Sequence, residues 1–315
     1  MSKGNKIPLK WRLKAWWEGY DIHDIEQAFF KDSQQHQQKS PKQSAFKAEQ
    51  QKQLWDEAAI KVTQMVWGDG YCGPGGPENV IAMSKLLALS PEMSAAMIGA
   101  SLGGPTRVLA DEFGVWMTGY EQSEALAQQG MQLSIDAGLE KKAPILHIDF
   151  NEDLVFERNF DRAFAKESFY LIEQKSALIQ SLYDSLKENS LFLLTDYMLP
   201  NKEALADTDI ISWIKDDPIP PYPITPDIMI KLLEAAGFKI RMDEDITPLY
   251  VDLIQQAWEG AGSVIEFFSN QGEDGKAELH SILKEAEYWT RRLKLLQSGK
   301  LTLHRILAHK PSTVR

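Results

Sequence analysis

Glycines cluster where an apolar run meets a helix-forming one, in Met97-Ile-Gly-Ala-Ser-Leu-Gly-Gly-Pro-Thr-Arg107. Small residues at such a junction let a ligand reach the backbone at the C-terminal edge of a strand. Open α/β sheets bind their ligands there, and a helix N-terminus offers free N–H groups. A glycine-rich turn alone is a weak signal, because tight turns use glycine with no ligand at all. Glu121, about twenty residues further on, strengthens it. A carboxylate closing the next strand can accept hydrogen bonds from both ribose hydroxyls of an adenosine-containing ligand. Asp149 and Phe150, just past a third apolar run, are placed to take an adenine amino group and to cover its ring. By itself Asp149 reads as well as a helix cap or surface acid; in company with Glu121 and the glycines, the ligand reading is favoured.

These residues need a sheet to position them, and the chain supplies the pattern for one. Helical spacing over 54–66 and 78–89 flanks a turn-rich stretch at 68–77. Strand-like runs follow at 95–99, 115–121, 143–148, 160–165 and 190–197, with helical stretches between them. A proline-rich connection at 218–223 leads to a helix opening at Pro226, with Thr225 as its cap, and a strand near 238–242. Residues 247–297 read as further helix before a final strand at 300–308. The alternation predicts an α/β fold: a Rossmann-like, seven-stranded, mostly parallel sheet with helices on both faces and a helical insertion before the last strand.

At 315 residues, 43% hydrophobic and 25% charged, the chain can bury one large core plus an appendage. A net charge of −11 disfavours nucleic acid and anionic membrane as general partners. One cysteine, Cys72, permits no internal disulfide, and no signal or membrane-spanning run follows Met1, so the expected compartment is the cytoplasm. Residues 1–60 stand apart as an arm, basic and aromatic, then Gln-rich, expected to be helical; the main domain is 61–315. Trp11, Trp16 and Trp17 suit a peripheral contact with a membrane surface or partner protein, although packing on the main domain is the favoured alternative. Whether the chain forms a homodimer is left open.

Gly99-Ala-Ser-Leu-Gly-Gly-Pro-Thr-Arg107, Gly119-Tyr-Glu121, His147-Ile-Asp-Phe150, Phe160-Asp161 and Leu194-Thr-Asp-Tyr197 together resemble the ordered motifs of class I S-adenosylmethionine-dependent methyltransferases. The resemblance covers about residues 62–310. It is closest to the small-molecule branch that includes phosphoethanolamine, sterol and tocopherol methyltransferases, where a helical insertion often precedes the last strand. Residues 247–298 stand where that insertion would. Trp67-Gly-Asp-Gly-Tyr-Cys-Gly-Pro-Gly-Gly76 is similar to the segment that closes over the methionine end of the cofactor in the phosphoethanolamine type.

The resemblance implies methyl transfer from S-adenosylmethionine to an N, O or C nucleophile of a small acceptor, with S-adenosylhomocysteine as product. It implies cofactor contacts from Trp67, Tyr71, Gly73, Gly99, Ser101, Gly103, Glu121, Gln122, Asp149 and Phe150. Such a displacement rests on holding two groups close and excluding water. A base is needed only where the acceptor must lose a proton. Glu167, after the fourth strand, and Tyr170, one turn later, are the candidates; read blandly, they are a solvated acid and a core aromatic. Tyr222 and Trp67 are expected to face the acceptor, where aromatic surfaces would suit a tertiary or quaternary amine product. No metal site is expected.

Three positions depart from the family's pattern. Met97 stands where an acid is usual, Ser101 where a glycine is usual, and Gly73 where a hydroxyl residue is common. Ser101 is expected to be tolerated if its φ is negative. Two alternatives stay open. One is a non-catalytic protein on the same fold that docks a partner through its arm. The other is an NAD-dependent oxidoreductase, whose fingerprint Gly99, Ser101, Gly104 and Glu121 also approach.

Overall fold

A computed structural model describes residues 54–151, 156 and 158–312. Asp56 opens the first helix of the described residues, α1 (Glu57–Trp67), by accepting the Ala59 N–H at 2.8 Å, and α2 (Gly76–Ser84) follows. Then come β1 (Ser94–Ile98), α3 (Gly104–Glu112), β2 (Trp116–Glu121), α4 (Glu124–Asp136), β3 (Ile145–His147) and β4 (Phe160–Lys166). The chain continues through α5 (Lys175–Ser185), β5 (Leu186–Met198), α6 (Thr208–Asp216), α7 (Pro226–Ala236) and β6 (Lys239–Asp245). The insertion is α8 (Thr247–Glu259), α9 (Ala261–Ser269) and α10 (Lys276–Gln297), before β7 (Thr302–His309) ends the sheet. Proline in the first turn of α3, α7 and α8 sacrifices no hydrogen bond, since those N–H groups have no partner within the helix.

The strands lie in the order β3-β2-β1-β4-β5-β7-β6, with β7 antiparallel to both β5 and β6 and the other neighbours parallel. Strands β1 and β4 are central and covered on both faces, which is why both are nearly free of charge at their buried positions. Alternate residues of β1 serve opposite layers. Ala96 and Ile98 join an apolar cluster with Leu178, Leu182 and Leu233 of α5 and α7. Ala95 and Met97 join the other, which includes Val62 and Trp67 of α1 and Tyr250, Phe268 and Trp289 of the insertion. The insertion is therefore part of the core on the Met97 face.

The predicted fold class holds, and each predicted strand is present within a few residues. Between β3 and β4 the described residues form no helix, so the regular alternation expected from sequence is broken there. The arm with Trp11, Trp16 and Trp17 lies outside the described residues. Helix α1 starts before residue 61, inside the segment assigned by composition to the arm. Among the described residues, no helix is long and apolar enough to cross a membrane.

Candidate cofactor and acceptor site

The turn after β1 is held open by backbone exceptions at three alternate residues. Gly99, Ser101 and Gly103 have φ of 73°, 55° and 78°. The N–H groups of Gly99 and Ala100 both bond to Tyr120 O of β2, and Gly104 N–H reaches back to Gly70 O at 2.9 Å. At Gly99 a Cβ would lie 2.3 Å from Ser168 Cβ, so glycine is required by space as well as by φ. Ser101 corrects the sequence expectation: its φ is positive. A left-handed non-glycine residue costs about 1–2 kcal/mol, part of which a glycine would lose again to chain entropy. Ser101→Gly is expected to stabilise the fold by about 0.5–1 kcal/mol, read as a higher urea midpoint with an unchanged slope.

Glu121 ends β2 and turns back onto this loop. Its Oε2 accepts the Ser101 N–H at 2.7 Å and its Oε1 the Ser123 N–H at 2.8 Å. Burial pushes its carboxyl above the usual range, and those backbone donors oppose the shift. Each oxygen retains a second lone-pair direction for a ligand.

Glu121 borders a cavity of about 510 Å³, lined also by Tyr71, Gly73, Gly99, Ser101, Gln122, Phe150, Glu167 and Tyr170. Met97, fully buried in the apolar layer, is not among the lining residues, so it does not plug the crevice. The Tyr71 hydroxyl is buried with no hydrogen-bond partner among the described residues. Cys72 lines the same wall, its thiol pushed up to about 12 by burial and bonded to the Ser101 side chain.

Four predicted residues lie elsewhere. Trp67 is a core residue whose ring packs on Trp258 and Trp289 and whose Nε1 donates to Glu285. Gly103 caps α3 and does not line the cavity. Asp149 closes a local turn by accepting the Asn151 N–H at 2.8 Å and is not among the residues that line the cavity. Tyr222 borders a second cavity with Lys175 and Pro221, and its N–H bonds to Tyr170 O at 2.6 Å.

The candidate bases are more committed than sequence suggested. Glu167, itself at φ 41°, pairs with Lys166 through Oε2, while its Oε1 accepts from the Thr195 and Tyr250 hydroxyls, each at 2.7 Å. Tyr170 is buried, its phenol pushed up by desolvation, 3.4 Å from the Tyr288 hydroxyl.

Beside them sits a group that sequence reasoning missed. Arg292 of α10 is buried and pairs with Asp217 at 3.2 Å. Its guanidinium lies 4.2 to 5.2 Å from the ring centroids of Tyr288, Tyr197, Trp289 and Tyr170. Its Nε has no hydrogen-bond partner among the described residues, and Arg292 and Tyr197 both line the cavity. Glu285, Trp289 and Arg292 also line it from α10. Their i, i+4, i+7 spacing was the available signal, since it puts all three on one helical face.

No family model matches the chain. It is 23% identical over 194 residues to phosphoethanolamine N-methyltransferase 1 of Zea mays, covering 61% of this chain and 37% of that protein. It is 22% identical over 214 residues to the phosphoethanolamine N-methyltransferase of Plasmodium falciparum, covering 64% and 74%. Among solved structures, Haemonchus contortus phosphoethanolamine N-methyltransferase 2 in complex with S-adenosyl-L-methionine aligns with a TM-score of 0.69 at 19% identity, over 80% of this chain and 57% of that one. The chain thus spans less than two-fifths of the Zea mays relative it matches.

Proposed function

We propose that this chain, whose fold is that of the class I S-adenosylmethionine-dependent methyltransferases, binds that cofactor beside Glu121 and methylates a small-molecule acceptor. The observation that carries the reading is Glu121 itself: a carboxylate at the end of β2, facing a cavity whose floor is a turn too tight for side chains at Gly99. The residues fit an adenosyl group. The cavity has the size of small-ligand sites, Glu121 has lone pairs free for two sugar hydroxyls, Phe150 offers a ring for the base, and the Tyr71 hydroxyl awaits a partner.

When bound, the cofactor supplies an electrophilic methyl on a sulfonium. The protein's part is to align that methyl with the acceptor and keep water out. Glu167, with its oxygens taken by Lys166, Thr195 and Tyr250, acts in this reading by holding the acceptor wall rather than by accepting a proton. Tyr170 faces the acceptor with Tyr197 and Tyr288.

The aromatic rings on that side already surround the Arg292 guanidinium, so they are not an empty box for an amine. An acceptor bearing a phosphate or carboxylate would instead be drawn to the positive charge of Arg292 behind those rings. The relatives are named for phosphoethanolamine, a small amine with a phosphate, which supports this class.

S-Adenosylhomocysteine at a hundredfold its Kd is expected to add about 2.7 kcal/mol of stability, raising Tm by several degrees, while NAD leaves it unchanged. A shift with NAD alone would establish the oxidoreductase reading, and no shift with either ligand the scaffold reading.

A further inference from the structure

Three neutral donors converge on a single carboxylate oxygen at the cavity wall. Glu285 Oε1 accepts from Trp289 Nε1 at 2.9 Å and Trp67 Nε1 at 3.1 Å, with the Thr63 hydroxyl at 3.5 Å. Its Oε2 has no hydrogen-bond partner among the described residues and is not sealed from the cavity that Glu285 lines. The other carboxylates there are accounted for. Glu167 has Lys166, Asp217 has Arg292, and the two oxygens of Glu121 each hold a backbone N–H. No cation of the described residues forms an ion pair with Glu285; Arg292 acts on it only from a distance.

A desolvated carboxylate without a cation is unfavourable, and this one's pKa is raised by burial. Two indoles and a hydroxyl nevertheless fix it in place, with one oxygen left open. The Cys72 thiol is near enough to Glu121 and to Glu285 for each to raise it, and all three residues line the one cavity. Trp289, one turn beyond Glu285, would touch a Cβ on Gly73 at 3.7 Å. Glu285 therefore shares with Glu121 a cavity along which a ligand held at its sugar by Glu121 would extend.

We infer that Glu285 Oε2 receives an ammonium group, the α-ammonium of the cofactor's amino-acid end. The assignment rests on the cofactor reading above. It places the negative charge on α10, in a helix far along the chain from the glycine turn, where Met97 offers none.

Binding of S-adenosylhomocysteine and of 5′-methylthioadenosine, which lacks the amino-acid end, by the full chain and by its Glu285→Gln variant tests it calorimetrically. Glutamine keeps an oxygen for the indoles, and an unchanged or higher Tm without ligand verifies that the variant folds. The expected result is that Glu285→Gln binds S-adenosylhomocysteine about tenfold or more weakly and 5′-methylthioadenosine unchanged, with Glu285→Asp recovering part of the loss. Equal weakening of both ligands, no weakening, or tighter S-adenosylhomocysteine binding overturns the assignment. Should wild type bind neither nucleoside, the cofactor reading fails with it; should wild type bind both and Glu285→Gln match it, only the role of Glu285 fails.

Discussion

Glu121→Ala is expected to weaken S-adenosylhomocysteine binding by at least about a hundredfold and to lower stability as well. Two charge-assisted bonds to sugar hydroxyls, at roughly 1.5–3 kcal/mol each, account for the affinity. The stability loss has a separate origin: the N–H groups of Ser101 and Ser123 both lose their acceptor. An orphaned buried donor costs about 1–3 kcal/mol, so roughly 2–6 kcal/mol is expected if no water replaces the carboxylate. Calorimetric titration and urea denaturation measure the two effects independently. Glu121→Gln keeps one acceptor oxygen and the side chain's volume, so its stability loss should be smaller while its binding loss stays large. Undiminished binding by both variants would sink the proposed site.

The second large effect belongs to Arg292. Arg292→Met leaves Asp217 buried with only the Trp213 indole at 2.9 Å as partner. Removing one member of a buried ion pair typically costs about 3–5 kcal/mol, because the remaining charge is stranded. For a domain of this size that is a Tm lower by roughly 10 °C. Arg292→Met combined with Asp217→Asn should recover most of the loss, since no charge is then stranded. A double-mutant cycle in which the two losses simply add would mean that the pair is not coupled, contrary to their 3.2 Å contact. The recovered double variant should remain poor in methyl transfer, because the cation on the acceptor side is gone.

How far sequence reaches depends on whether a signal is local. The turn at 99–104 was legible because strand, glycines, proline and helix follow one another in about ten residues, an order that marks a strand-to-helix junction. Glu121 was legible for the same reason, lying one strand further along. Ser101 was only half legible, since residue type does not reveal φ. Trp67 and Tyr222 were misplaced because an aromatic near a loop reads alike whether it faces ligand or core; Trp67 is drawn inward by Trp258 and Trp289, which come from the insertion. Asp149 was read by its company, and its own turn took it instead. Arg292 and Glu285 were missed because their partners are Asp217, Trp67 and Thr63, remote in sequence. Nothing in a helix of mixed charge says which of its charges will be buried; the tertiary contacts decide that.

One geometric fact about α10 reaches further than any of its single contacts. A 22-residue helix is about 33 Å of stiff rod, and Glu285 and Arg292 are two turns apart on one side of it, about 10 Å along its axis. Opposite charges mounted at a fixed interval on one beam behave as a gauge. In the proposed reading they set the distance between the cofactor's amino-acid end and an anionic group of the acceptor, and any tilt of the beam alters both ends together.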